Sequence, residues 1–197
     1  MAVPTRLEAT MDQRALIERA RRGDHAAFTD LVDGRLARLD AAARLILRDS
    51  ELAHDAVQEA LIRAWRDLPG LRDPDRFDAW IHRLTVNACL DLTRRRKRRV
   101  IEVELTPIDR LATPDIASAL ADRQLLDQAL ARLSPGHRAV VALHYLLGMP
   151  LPDVARSLGI PLGTAKSRLH YALGSMRTSV TPEPDPVSTP VPRGQFA

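Results

Sequence analysis

The chain has 197 residues, 45% of them hydrophobic, which suits one medium or two small folded domains. The formal charge is +4, but the isoelectric point is near 9.9 and the basic residues cluster, most densely at Arg94-Arg95-Arg96-Lys97-Arg98-Arg99, a run that must stay solvated and attracts phosphate. A single cysteine, Cys89, excludes an internal disulfide and fits a reducing compartment; the charged N-terminal stretch lacks a signal peptide's apolar core, and no segment approaches the roughly 18–20 apolar residues of a membrane span, so a cytoplasmic protein without membrane insertion is expected.

Ala, Leu and Arg dominate, aromatic residues make up only 4%, and there is no sustained alternation of Val, Ile and Thr. The expected fold class is therefore all-α. Four helices are predicted in the first half. One runs from about Gln13 to Arg21 and stops at Gly23. Asp24 caps a second, with Phe28, Leu31, Val32, Leu36 and Leu39 facing a core. Asp49-Ser50 breaks that helix and caps a third, whose apolar stripe is Ala53, Ala56, Val57, Ala60, Leu61, Ala64, Trp65 and Leu68. Pro69-Gly70 ends it, and Leu71 to Asp75 reads as a loop. A fourth helix covers about Arg76 to Arg98 and buries Phe77, Trp80, Ile81, Leu84, Ala88 and Leu92. The spacing of Trp80 with Phe77, Ile81 and Leu84 marks it as core rather than as a stacking platform.

From Val100 the helical period fails, with Pro107 and Pro114 as interruptions, so residues 100–115 are read as a linker between domains 1–99 and 116–179. The second domain is predicted to hold four helices. The first covers about Ile116 to Leu133. Ser134 followed by Pro135 then starts a helix that runs to Leu147 and ends at Gly148. A short helix, about Pro152 to Leu158, closes at Gly159, and the last begins near Gly163-Thr164 and runs to about Arg177. Residues 180–197 are proline-rich and polar and are expected to be a disordered tail.

The segment PLPDVARSLGIPLGTAKSRLHYALGSMR has the layout of a helix-turn-helix. Ala155 is the small residue that allows close packing, and Gly159 is placed where the turn needs positive φ. Ala165 and Leu169 anchor the second helix from inside, leaving Lys166, Ser167, Arg168 and His170 outward, as in a helix that offers its first turns to the major groove. From LSPGHRAVVALHYLLGMP onward, the sequence resembles region four of the extracytoplasmic-function (group IV) sigma factors of bacterial RNA polymerase, and Gly163 to Leu169, GTAKSRL, resembles the start of that group's recognition helix. The resemblance implies that Thr164, Lys166, Ser167, Arg168 and His170 meet duplex DNA at the −35 element. Tyr171 stands where the family usually has arginine, and Asp153 where glutamate is commoner.

In the first domain, ELAHDAVQEALIRAW resembles the part of sigma region two that grips core polymerase. Asp55, Gln58 and Glu59 fall at i, i+3 and i+4 and so share the face opposite the apolar stripe. The resemblance implies that this face meets a coiled coil of the polymerase's largest subunit. FDAWIHRLTVNACLDLTRRRKRR resembles the −10 recognition and melting segment. Asn87 and Asp91 share a face, with Arg94 and Arg95 one turn on, a pattern suited to a strand with exposed bases. The resemblance also implies that a −10 base flips into a pocket walled by the preceding loop, with Leu71, Arg72 and Asp73.

No zinc, phosphate-loop or nucleophile-elbow motif appears, so neither a catalytic site nor a cofactor is expected, and His82 and Cys89, seven apart, are read as incidental. The expected function is promoter-specific transcription initiation, with core RNA polymerase and promoter DNA as partners. The resemblance adds an anti-sigma factor as a further partner. The alternative is an autonomous helix-turn-helix regulator that works without core polymerase.

Overall fold

The computed structural model describes residues 6–102 and 119–180, with side chains from 12 to 98 and from 125 to 178. Among the described residues every regular element is helical, so the all-α expectation holds. The predicted linker beyond residue 102 and the tail beyond 180 lie outside them.

Helix α1 spans Arg6–Arg21 and α2 spans His25–Leu47. Between them Gly23 takes φ +90, and Asp24 caps α2 by accepting from the Ala27 N–H at 3.1 Å. That bond also holds the Asp24 carboxyl below its ordinary pKa, helped by Arg19. α2 ends where Arg48 adopts the left-handed conformation, and Asp49 caps α3, Ser50–Asp67, through the N–H groups of Glu51 and Leu52. A 3-10 turn at Leu68–Gly70 stops α3, a second at Pro74–Arg76 follows, and α4 runs Phe77–Glu102. The four helices form one bundle in which α3 lies along α4 and α2 packs on α1, α3 and α4. The stripe of α3 is buried as its spacing predicts, at Ala53, Ala56, Val57, Ala60 and Ala64. Trp65 is wedged between His25, stacked at 4.2 Å, and the edge of Phe28 at 5.2 Å.

The second group comprises α5 (Ala119–Ala131), α6 (Pro135–Val141), α7 (Leu151–Leu158) and α8 (Leu162–Val180). Ser134 caps α6, with Pro135 in its first turn. The helix predicted to run on to Leu147 widens instead into a π-helical turn, Ala142–Leu146, where the Leu147 N–H bonds back to the Ala142 carbonyl at 2.9 Å. Gly148 and Gly159 take φ +69 and +63 at the two turns that follow, which a side chain would strain. α8 packs on α5, α6 and α7.

The two groups share one apolar core that runs from Ile17 through Leu39, Ile46 and Ile81 to Val140, Leu143 and Val154. A smaller cluster, Leu130, Leu133, Val141 and Ala172, lies within the second group.

Candidate protein- and nucleic-acid-binding faces

Because Asp49 fixes where α3 begins and the alanine stripe fixes which side is buried, the opposite side must face outward. Asp55 and Gln58 are exposed there, and Glu59 is partly exposed and ion-paired with Arg63. Gln58 lies 3.0 Å from the His54 ring. Sequence reasoning missed Ile62, whose side chain is 67% exposed on the same stripe, seven residues from Asp55. Its absence from the apolar repeat of α3 was the available signal.

Arg63 is the second residue missed. It pairs with Glu59 and also reaches Asp91 of α4 at 3.7 Å, and Asp91 holds Arg94 at 3.2 Å. The acidic side of α3 and the Asn87–Asp91 side of α4 are thus joined by one chain of charges. Asn87 is partly exposed and Arg94 and Arg95 are exposed. Arg96, within the basic run, lies 3.6 Å from Asp49, so the run reaches the carboxylate that caps the start of α3. Such exposed pairs order side chains more than they stabilise the fold.

The loop before α4 divides. Arg72 and Asp73 are exposed, and Asp73 caps the 3-10 turn through the Asp75 N–H. The Leu71 side chain is buried, 7% exposed, its N–H donates to the Leu68 carbonyl at 3.1 Å and its carbonyl accepts from Arg21, so Leu71 anchors the loop from inside. Asp75 is held by Arg14, which keeps its carboxyl below the ordinary range. Trp80 is half-buried beside Phe77 at 5.8 Å, in keeping with its reading as core.

In the helix-turn-helix, Ala155 and Ala165 are buried and Lys166, Ser167 and His170 are exposed. Thr164 is partly exposed, and its carbonyl accepts from the Ser167 hydroxyl at 3.0 Å. Arg168 is only partly outward because its guanidinium lies over Gly136 of α6. Tyr171, 57% exposed, stacks on His137 at 4.7 Å, and His137 also meets the Ser134 hydroxyl at 2.7 Å. Partial burial, with Arg168 nearby, keeps the His137 pKa low. No sequence pattern marks an aromatic pair that joins two helices in this way.

His82 and Cys89 are both buried, and among the described residues no group of three His, Cys, Asp or Glu side chains could hold a metal. Burial pushes the Cys89 thiol up to about 12. His82 has no partner for its buried Nδ1, and burial lowers its pKa to about 4, opposed by Asp78 and reinforced by Arg38 and Arg35. The unfolded chain, with an ordinary His pKa near 6.5, therefore takes up a proton that the folded chain refuses between those two values. Stability is fully present above pH 6.5 and falls as the pH drops towards 4, by on the order of 2–3 kcal/mol from this group. Urea unfolding at pH 7, 6, 5 and 4 should show that slope, and His82→Gln should flatten it. Equal slopes for the two proteins would remove His82 as the cause.

Residues 31–99 match the model of sigma-70 region 2, and residues 123–176 match sigma-70 region 4. The chain is 36% identical over 169 residues to the ECF RNA polymerase sigma factor SigL of Mycobacterium tuberculosis, covering 84% of this chain and 96% of that protein. Among solved structures it is similar to the sigma factor RpoE in complex with the anti-sigma factor NepR from Bartonella quintana, with TM-score 0.66, 25% identity, and coverage of 77% of this chain and 96% of that one. It is also similar to CnrH in complex with the cytosolic domain of CnrY, with TM-score 0.61, 28% identity, and coverage of 85% and 96%.

Proposed function

Since the chain belongs to the extracytoplasmic-function family of sigma factors, we propose that it recruits core RNA polymerase to promoters carrying a −10 and a −35 element. Sigma factors are not catalysts, and bond formation belongs to the polymerase. The observation that carries the proposal is the occurrence of both regions, in order, on one chain, each presenting an outward polar face. A lone helix-turn-helix regulator has no use for the first.

In this reading residues 1–99 form the polymerase-binding and −10 domain, 100–115 the linker and 116–179 the −35 domain. Asp55, Gln58 and Glu59, with Ile62, meet the polymerase. An acidic and amide patch around one apolar side chain suits a basic partner surface. Asn87, Asp91, Arg94 and Arg95, with Arg72 and Asp73 of the loop that Leu71 anchors, take the unpaired −10 strand, where guanidinium groups neutralise phosphate and the loop holds an extruded base. Thr164, Lys166, Ser167, Arg168 and His170 read the duplex −35 element from the start of α8. Tyr171 adds a hydroxyl where an arginine would add a charge, so fewer phosphates are neutralised there and the salt dependence of −35 binding is shallower. The factor works where the polymerase does, in the cytoplasm. None of its described helices is long and apolar enough to cross a membrane. An anti-sigma protein is its expected inhibitor, since the two solved structures described above are complexes and one is named with an anti-sigma factor.

The test is transcription by purified core polymerase on fragmented genomic DNA, with and without the protein, followed by sequencing of RNA 5′ ends. New starts that need the protein and share two spaced upstream motifs are expected. A folded protein that retards duplex DNA yet yields no new starts would shift the assignment to an autonomous regulator.

A further inference from the structure

A side chain that reads DNA does so best when it is already held in its reading position, because ordering it on contact costs affinity. Tyr171 is held in this way. Its ring stacks on His137, with centroids 4.7 Å apart and planes at 29°, a geometry that is attractive in its own right. His137 is itself fixed. It is half-buried in the first turn of α6, where its Nδ1 lies 2.7 Å from the Ser134 hydroxyl. Beside it Gly136 leaves room for the Arg168 guanidinium, whose Nη1 would lie 3.4 Å from a Cβ at that position. One turn of α6 thus seats two neighbouring side chains of α8.

Tyr171 follows Thr164 by seven residues, or two helical turns, and Ser167 by four. It therefore points the same way as they do, about 10 Å further along α8 than Thr164. Tyr171 is 57% exposed, whereas the Ser167 hydroxyl is turned back onto the Thr164 carbonyl. Arginine, usual at position 171 in the family, would bind phosphate through its charge whatever the sequence. A tyrosine brings no such charge, but its hydroxyl, donor and acceptor at once, can be matched by the edge of a base. We propose, on the sigma reading above, that His137 is a positioning residue for −35 recognition. It pins the Tyr171 ring so that the hydroxyl reads a major-groove base edge beyond those met from Thr164 to Arg168. Tyr171 is then a determinant of specificity, and the first turn of α6 is the platform that aims it.

The test is transcription from a library of promoters with randomised −35 elements, each barcoded in its transcript, by core polymerase reconstituted with the full chain. Base preference is a ratio within each library, so a general loss of activity or stability cancels. Tyr171→Phe, which removes only the hydroxyl, is expected to lower the preference at one −35 base pair about fivefold. His137→Ala frees the ring and should lower the preference at that same base pair about threefold. The α6 cap survives this change, because the backbone N–H of residue 137 is what donates to the Ser134 hydroxyl. His137→Phe restores a stacking partner and should stay within about twofold of the parent. In a Tyr171→Ala background His137→Ala should change nothing further, since no ring remains to be held. A Tyr171→Phe preference equal to the parent's, or a His137→Ala effect that persists without Tyr171, overturns the proposal. The parent separates this failure from that of the sigma reading. A folded parent that starts no transcripts ends both, whereas a parent whose −35 preference is untouched by these variants ends only the role of His137 and Tyr171.

Discussion

Ile62→Glu is expected to weaken binding to core RNA polymerase about 30-fold or more while leaving the protein folded. Two thirds of the Ile62 side chain is open to solvent, so its loss costs the fold no more than about 0.5 kcal/mol. A lone exposed isoleucine carries no meaning by itself. This one shares a stripe with Asp55, Gln58 and Glu59, and fully burying such a side chain in an interface gains about 1.5–3 kcal/mol. Replacement by glutamate removes that gain and leaves a charge to be desolvated, which places the change among hot-spot substitutions of at least about 2 kcal/mol. Asp55→Arg and Glu59→Arg should act in the same direction by reversing the charge offered to a basic partner, with Glu59→Arg also releasing Arg63. Titration of fluorescent factor with core polymerase measures all three. If all three bind within twofold of the parent, the polymerase contact lies elsewhere.

The stripe was half legible from the sequence, and the half that was missed is instructive. Asp24, Asp49 and Ser134 were found as caps because a short polar side chain before an apolar period has one obvious use. Gly159 was found because a turn between two short helices needs positive φ. The start of α1 was missed by seven residues because LEATMDQ offers helix propensity without an apolar face. The π-helical turn after Val141 was invisible, since a shift from i−4 to i−5 bonding leaves the hydrophobic pattern almost unchanged. The burial of Leu71 was missed because one apolar residue in a polar loop has no period to read.

The docking of the two groups was the least legible feature of all. Its donors are arginines, but its acceptors are the backbone carbonyls of Ile46 and Leu146, and a carbonyl has no residue type. A sequence can announce a helix end. It cannot say which distant guanidinium will find it. The same limit applies to the stack of Tyr171 on His137, where each ring alone looks like an ordinary surface aromatic.

Phe77→Ala should cost about 3–5 kcal/mol of stability, a large part of the 5–15 kcal/mol usual for a domain. Phe77 is fully buried at the first position of α4, where it packs on Trp80 and lies under the Arg35 guanidinium at 5.2 Å. Arg35 in turn reaches Asp78, Gln13 and the Leu31 carbonyl, so one ring fixes the helix start against both α1 and α2. Removing it leaves a cavity, forfeits a cation–π contact of about 0.5–1 kcal/mol and loosens the frame that aims Asn87 and Asp91. The urea midpoint should fall with little change in slope, since a cavity lowers stability without changing how much surface unfolding exposes. Function separates this effect from a DNA-contact defect. At low temperature, where the variant is still folded, its start sites should match those of the parent; on warming, output should fall evenly at every promoter. A loss confined to promoters with particular −10 bases would instead place Phe77 in the recognition surface and contradict its burial.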